Sequence, residues 1–219
     1  WQRVTGHPMN SWLIYKTEGI YHTQAEIDAS IHPAGTQPGD IRYIDVNDDK
    51  KITSDDQVRV FESTNPTSIY GITMGANYKG IGLNILWQGQ GGAKMLILPS
   101  QNGGSLTPPL WMYEDRWTAA NPNGSMPASF DRDNDITNRQ SDFWLRNASF
   151  LRLKTVELSY TFPATFLSRL KLQYLRVYAN GFNLAVFSHV KKYDPELNNV
   201  TGNYYPQTRI FNMGVNISL

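Results

Sequence analysis

The segment Asp45-Val-Asn-Asp-Asp-Lys-Lys-Ile-Thr-Ser-Asp-Asp56 has the residue types and spacing that fit metal chemistry. Calcium takes about six to eight hard oxygen donors, and alternate residues of a tight loop can direct their oxygens to one ion. Two departures from an EF-hand loop are Lys50 in place of the usual glycine and an aspartate where the last ligand is usually glutamate. The sequence predicts a structural Ca²⁺ site, and the alternative is a solvated Asx turn without an ion. The candidate ligands are Asp45, Asn47, Asp49, Lys51 (through its backbone carbonyl), Thr53 and Asp56.

Other chemistry-bearing patterns are weak. The chain has no cysteine, and its four histidines are scattered without paired spacing for zinc. No glycine-rich phosphate loop precedes a helix, and no serine nucleophile elbow occurs. The formal net charge of +1 leaves no basic stripe for nucleic acid. We therefore predict a protein that is not an enzyme and does not bind nucleic acid.

Five segments alternate apolar and polar residues with the period of a β-strand. The last runs from Phe211 to Leu219, with apolar side chains at every second position and Asn, Gly or Ser between them. This length and alternation are typical of a transmembrane β-strand with lipid on one side and water on the other. A soluble β-sandwich also produces alternating strands and is the alternative at this point. The five predicted strands are 68–79, 81–90, 150–162, 172–183 and 209–219.

The connections favour the membrane interpretation. A tight turn joins the first two strands and a short segment joins the third and fourth, whereas 91–149 and 184–208 are long. Short and long connections alternate, as in outer-membrane barrels with short periplasmic turns and long extracellular loops. The predicted fold class is therefore all-β: strands of a large antiparallel transmembrane β-barrel, with residues 1–67 forming an extracellular loop region. Because five strands cannot close a barrel, and because the chain begins at Trp1, we expect the rest of the barrel in sequence beyond these residues.

Several side chains are candidate contacts on this framework. Glu157, Arg176 and Tyr178 fall on polar faces of the predicted strands, so they are expected to face the lumen. Glu157 and Arg176 form either an ion pair that braces the wall or a contact to substrate or to an internal domain. Trp111, Trp117 and Trp144 lie in the long 91–149 connection and are candidate ligand contacts, because aromatic rings stack on sugars; the alternative is that they anchor the loop.

Several strings, in order along nearly the whole chain, resemble the C-terminal part of the SusC/RagA-like TonB-dependent transporters of Bacteroidetes. Each string is weak alone, and together they are specific. They are Tyr15-Lys-Thr-Glu-Gly-Ile-Tyr21, Pro38-Gly-Asp-Ile-Arg-Tyr-Ile-Asp-Val-Asn47, Tyr78-Lys-Gly80, Asp115-Arg-Trp-Thr-Ala-Ala-Asn-Pro-Asn123, Ser141-Asp-Phe-Trp-Leu-Arg-Asn-Ala-Ser-Phe-Leu-Arg-Leu-Lys154, Leu175-Arg-Val-Tyr-Ala-Asn-Gly-Phe-Asn-Leu184, Tyr193-Asp-Pro-Glu196 and Tyr205-Pro-Gln-Thr-Arg209.

The resemblance implies an outer-membrane nutrient importer for glycans or peptides. In that family the barrel encloses an N-terminal plug, couples to TonB through a segment outside these residues, and pairs with a SusD-like surface lipoprotein. The expected partners are thus the rest of the barrel and its plug, the lipoprotein, TonB and the lipid bilayer. The resemblance also favours Trp117 and Trp144 as anchors, for the loop or for the lipoprotein. A secreted, calcium-braced β-module that binds glycan remains the alternative.

Overall fold

The computed structural model describes residues 5–98, 110–128, 135–191, 193–196 and 207–219, which fall into two compact units. Unit 1 comprises the described residues of 5–65 and 94–146, and unit 2 those of 66–93, 147–196 and 207–219. The sequence analysis placed a boundary at residue 67 and assigned the whole 91–149 connection to the barrel strands, whereas in the structure residues 94–146 belong to unit 1. Among the described residues, no helix is long and apolar enough to cross a membrane.

Unit 2 is built on one five-stranded antiparallel sheet. Its strands are β5 (Ser68–Tyr78), β6 (Ile81–Gly91), β9 (Phe150–Thr161), β10 (Tyr174–Ser188) and β11 (Ile210–Ser218). Their order across the sheet is β11-β10-β9-β6-β5, so each strand pairs with the next one of this set along the chain. A helix α4 (Ala164–Leu167) and a 3-10 turn (Ser168–Leu170) connect β9 to β10. The predicted antiparallel meander is confirmed.

The turn between β5 and β6 shows why a glycine is required there. Lys79 and Gly80 have φ values of 48° and 86°, the left-handed conformations of a two-residue hairpin turn. A β-carbon on Gly80 would lie 2.5 Å from the carbonyl oxygen of Thr161. Glycine therefore serves both the turn geometry and the close approach of β9.

Strand β10 extends beyond the predicted boundary of 172–183. The pairing of β10 with β9 shifts register between Phe182 and Ala185, and Asn183 has φ 54°. This bulge interrupts the alternation, because an extra residue changes which positions share a face. The sequence pattern therefore ended at residue 183, whereas pairing continues to Ser188.

Unit 1 consists of short strands and helical turns around a small core. Strand β1 (Ser11–Tyr15) pairs antiparallel with β4 (Gln57–Ser63), and β2 (Thr17–Ile20) pairs antiparallel with β3 (Ile41–Tyr43). Strand β7 (Lys94–Leu96) pairs with β8 (Leu145–Asn147). Leu96, Met112 and Trp144, all from the 91–149 connection, lie in the same core as Ile14 and Ile41. That connection is therefore partly folded, because its apolar residues complete a core that β1–β4 could not close alone. The elements are β1 (Ser11–Tyr15), β2 (Thr17–Ile20), α1 (Gln24–Asp28), β3 (Ile41–Tyr43), a 3-10 turn (Ser54–Asp56), β4 (Gln57–Ser63), β7 (Lys94–Leu96), α2 (Leu110–Glu114), α3 (Asp135–Asn138), a 3-10 turn (Asp142–Trp144) and β8 (Leu145–Asn147).

Candidate functional site: the two faces of the sheet and its attached loops

The apolar residues of unit 2 form continuous rows across all five strands. Register places Ala76, Leu83 and Leu158 directly beside one another, and the row continues through β10 and β11. These side chains are open to solvent: Leu158 is 56% exposed and Met213 is 88% exposed. No second sheet covers this face in the part of the chain that the structure describes, so the sandwich alternative is not supported. The rows are Tyr78–Ile81–Tyr160–Val177–Val215, Ala76–Leu83–Leu158–Ala179–Met213 and Met74–Ile85–Val156–Gly181–Phe211.

The opposite face carries rows of polar and small residues. In one row Asn84 lies beside Glu157 and Asn180 lies beside Asn212. The side-chain oxygen of Asn180 is buried, with no hydrogen-bond partner among the described residues. An adjacent row includes Ser159, which is 7% exposed. Small and amide side chains of this kind are what the alternation predicted for the face of the sheet that meets water. The rows are Gly75–Asn84–Glu157–Asn180–Asn212 and Asn77–Gly82–Ser159–Tyr178–Gly214.

Three predicted lumen residues meet on that face. The Arg176 guanidinium donates to a Glu157 carboxylate oxygen at 2.5 Å and lies 5.3 Å from the centre of the Tyr178 ring. Both members of the ion pair are about one-fifth exposed. Because Arg176 must reach past Tyr178 to touch Glu157, the ring and the ion pair hold one another in place. Arg176 makes both contacts, so its removal would free the other two side chains.

A second charged cluster was missed by the sequence reasoning. Arg152 of β9 is almost fully buried and donates to both carboxylate oxygens of Asp194, at 2.8 and 3.0 Å, and to Glu196 at 2.9 Å. Gln207 donates to the same Glu196 oxygen at 2.9 Å. The cluster therefore joins residues 194–196 and 207, which lie on either side of the β10–β11 connection, to the central strand of the sheet. The sequence signal that could have revealed this cluster is Arg152 itself, a charged residue inside a strand that alternates apolar and polar residues.

The predicted calcium loop is organised by its own backbone. Both Asp45 oxygens accept amide hydrogens, from Asp49 at 3.3 Å and from Lys50 at 2.8 Å. The Asn47 side-chain oxygen accepts from the Asp49 amide at 3.0 Å. The Lys51 amide donates to Asp49 at 2.9 Å. This bonding is the Asx-turn geometry, and it brings the Asp45, Asn47 and Asp49 side chains around one turn.

Asp56, the last predicted ligand, is fully buried and caps a 3-10 turn. Its carboxylate accepts amide hydrogens from Thr53 at 2.7 Å, Val46 at 2.9 Å and Asn47 at 3.4 Å, and Thr53 completes a capping box. Burial raises the pKa of Asp56, but these hydrogen bonds outweigh it and hold that pKa below its ordinary value of 3.8. No group of three or more His, Cys, Asp or Glu side chains placed to hold a metal occurs in the described ranges. Calcium binding by this loop stays a prediction.

The three tryptophans lie in or against the core of unit 1. Trp144 is 1% exposed, and its indole donates to the Thr137 carbonyl at 3.1 Å. Trp117 is partly buried and donates to the His22 carbonyl at 3.1 Å, and Trp111 packs against the same core. A ligand could reach Trp144 only if this core opened. The geometry therefore favours the anchoring alternative.

Comparison with known proteins gives two kinds of likeness. No family model matches the chain. The chain is 29% identical over 231 residues to TonB-dependent receptor P26 of Formosa agariphila, covering 98% of this chain and 23% of that protein. It is 26% identical over 228 residues to TonB-dependent receptor P3 of the same organism, covering 97% and 22%. The chain thus spans about a quarter of the length of these relatives.

Among solved structures, the RagAB peptide transporter matches with a TM-score of 0.72 at 23% identity, covering 95% of this chain and 22% of that chain. The RagAB peptide importer in its "open-open" state also gives 0.72, at 22% identity and with 100% and 24% covered. The fold is therefore that of a stretch of barrel wall, which these residues do not close. Together with the curated relatives, this confirms the resemblance drawn from the sequence: over nearly its whole length the chain is similar to TonB-dependent receptors and has the fold of part of the RagAB transporter.

Proposed function

We propose that the chain supplies barrel wall and surface loops to a TonB-dependent importer in the bacterial outer membrane. The longer protein would take up a nutrient with the help of a SusD-like lipoprotein, and TonB would act through a plug outside these residues. The names of the two curated relatives support the transport role. The RagAB structures are described as a peptide transporter and importer, so a peptide is the first substrate to test and a glycan the alternative. We propose no catalytic role.

The open apolar face of the five-stranded sheet is the observation that carries this proposal. In water, an exposed face of this kind would aggregate, whereas in a bilayer it replaces contacts between hydrocarbon and water. The side chains on the face change along the strands in a way that fits a bilayer. Tyr78 and Tyr160 lie at one end, Trp87 and Phe187 at the other, and aliphatic residues between them. Aromatic residues prefer the two membrane–water interfaces.

The height of this band also fits. Tyr70 and Tyr78 are both on β5, eight residue steps apart. At about 3.4 Å per residue these steps span about 27 Å along the strand. A strand tilt of about 40° reduces this to about 20 Å along the membrane normal, before the outer rings are added. An outer-membrane barrel presents an apolar band of about 25 Å.

Two lysine substitutions on adjacent residues of β11 test the proposal. Met213→Lys keeps an unbranched side chain but places a charge on the apolar row beside Ala179, whereas Asn212→Lys places it on the polar face beside Asn180. A lysine on the lipid face of a barrel costs up to about 2–4 kcal/mol near mid-membrane. In the full-length protein, Met213→Lys should strongly reduce the heat-resistant folded form at the cell surface, and Asn212→Lys should not. Equal surface amounts of the two variants would show that this face does not meet lipid.

A further inference from the structure

One end of the five-stranded sheet gathers the Lys79–Gly80 turn and the connection from β9 to β10. The Thr161 amide donates to the Gly80 carbonyl at 2.8 Å, which fixes the turn beside the end of β9. The Gln173 amide donates to the Ser218 carbonyl at 2.9 Å, which fixes the end of the connection beside β11. We call this edge the turn end of the sheet. One end of each of the five strands therefore lies at this edge.

The charges at the turn end have one sign. Lys79, Arg169 and Lys171 lie there, and residues 77–81, 158–175 and 214–219 contain no Asp or Glu. Glu157 is the acidic residue of β9, and its carboxylate is engaged by Arg176. None of the three cations has an acidic partner among the residues that the structure describes. The turn end is therefore a cationic strip whose charge the sheet does not neutralise.

Apolar side chains are interleaved with these cations. In the helical connection Leu167 is buried, whereas Phe166 is 43% exposed and Leu170 is 51% exposed. The Phe166 ring stacks on Phe162 at 5.2 Å, and Phe162 contacts Tyr160 of the apolar face at 4.9 Å. The apolar surface thus continues from the sheet around the connection.

We infer that the turn end binds the phosphate headgroups of anionic phospholipids in the leaflet that it faces, with Phe166 and Leu170 entering the acyl boundary. Charge complementarity identifies the occupant: phosphates meet the three cations while apolar side chains enter hydrocarbon, as in interfacial segments at anionic membranes. Lys79 fits this role, because its ammonium lies 5.2 Å from the centre of the exposed Tyr78 ring and its stem can follow the apolar surface. This inference rests on the proposed function, since it requires the sheet to be a membrane wall.

The test uses the full-length protein in nanodiscs made of phosphatidylcholine and phosphatidylglycerol in equal amounts. Native mass spectrometry counts the lipids of each kind that remain bound to the released protein. The wild type should retain phosphatidylglycerol in several-fold excess. The variant Lys79→Gln/Arg169→Gln/Lys171→Gln should retain both lipids about equally, since each basic residue near an anionic surface contributes up to roughly a five-fold preference. Lys79→Arg/Lys171→Arg should keep the wild-type excess.

The matched control removes three exposed positive charges elsewhere, two lysines and one arginine, as Lys50→Gln/Lys191→Gln/Arg209→Gln. It should retain the wild-type lipid ratio. A wild type without preference, or a turn-end variant that keeps the preference, would overturn the inference while leaving the membrane wall intact. Failure of the wild type to enter nanodiscs would instead overturn both the inference and the proposed function.

Discussion

Replacement of Arg152 by methionine should detach residues 193–196 from the sheet. Arg152→Met keeps the apolar stem and removes the guanidinium that contacts Asp194 at 2.8 and 3.0 Å and Glu196 at 2.9 Å. The Arg152 side chain is 4% exposed, whereas those of Asp194 and Glu196 are 14% and 26% exposed. Loss of one partner from a buried ion pair costs about 3–5 kcal/mol. We expect the lower end, since both carboxylates can turn toward water.

About 3 kcal/mol corresponds to a rise of roughly a hundred-fold in the local opening equilibrium. Hydrogen exchange of the full-length protein in detergent micelles measures this directly, because the amides of Tyr193, Asp194 and Glu196 should exchange faster while those in the middle of β9 do not. Arg152→Lys keeps the charge but loses the planar guanidinium, so its exchange rate should lie between those of the wild type and Arg152→Met. The variant Arg152→Met/Asp194→Asn/Glu196→Gln removes all three charges and should recover most of the protection. Unchanged exchange in Arg152→Met, or no recovery in the triple variant, would refute the electrostatic account.

Three further predictions concern the remaining charged residues. Asp56→Ala should destabilise unit 1 by about 1–3 kcal/mol in denaturant unfolding, because three amide donors lose their acceptor. The pKa of Asp56 in the folded protein lies below its ordinary value of 3.8, so its contribution to stability is complete above pH 3.8 and is lost as the pH falls through the folded pKa. If the Asp45 loop holds Ca²⁺, the ion should protect it from protease, a chelator should reverse this, and Asp45→Ala should abolish it; protection that does not depend on calcium would leave only the turn. Glu157→Gln should lower the yield of folded protein less than Arg152→Met does, because the Arg176 pair is more exposed, and the exchanged pair Glu157→Arg/Arg176→Glu should restore what Glu157→Arg loses.

The sheet of unit 2 could be predicted because an apolar face and a polar face impose an alternation on its strands. That constraint made Met213 and Asn212 distinguishable from sequence alone, and the structure places them on opposite faces. The strand prediction failed where the alternation is interrupted, at the bulge that follows Phe182. Unit 1 gave no such signal, because a short strand such as β1 is buried on both faces and shows no period. Its core therefore had to be found in three dimensions.

The candidate contacts divide in the same way. Glu157 and Arg176 were chosen as candidates because they lie on the polar face of strands that alternate apolar and polar residues. Their contact depends on register, which brings the arginine past Tyr178. Arg152 was missed because its partners Asp194 and Glu196 lie far along the chain. Sequence patterns report which solvent a residue faces, whereas the identity of an ion-pair partner depends on where a connection returns to the sheet.

Strand β9 carries both charged clusters, and its place in the sheet explains why. It pairs with β6 on one side and β10 on the other, so its backbone, like theirs, is hydrogen-bonded along both edges. An arginine on such a strand still loses side-chain freedom when it binds a carboxylate, but its backbone is already ordered and adds no further entropic cost. Glu157 uses that rigidity within the wall, and Arg152 uses it to hold the segment that follows β10. A change at Arg152 should therefore alter the surface segment while the wall keeps its register, because ten backbone pairings of β9 with β6 do not involve its side chain.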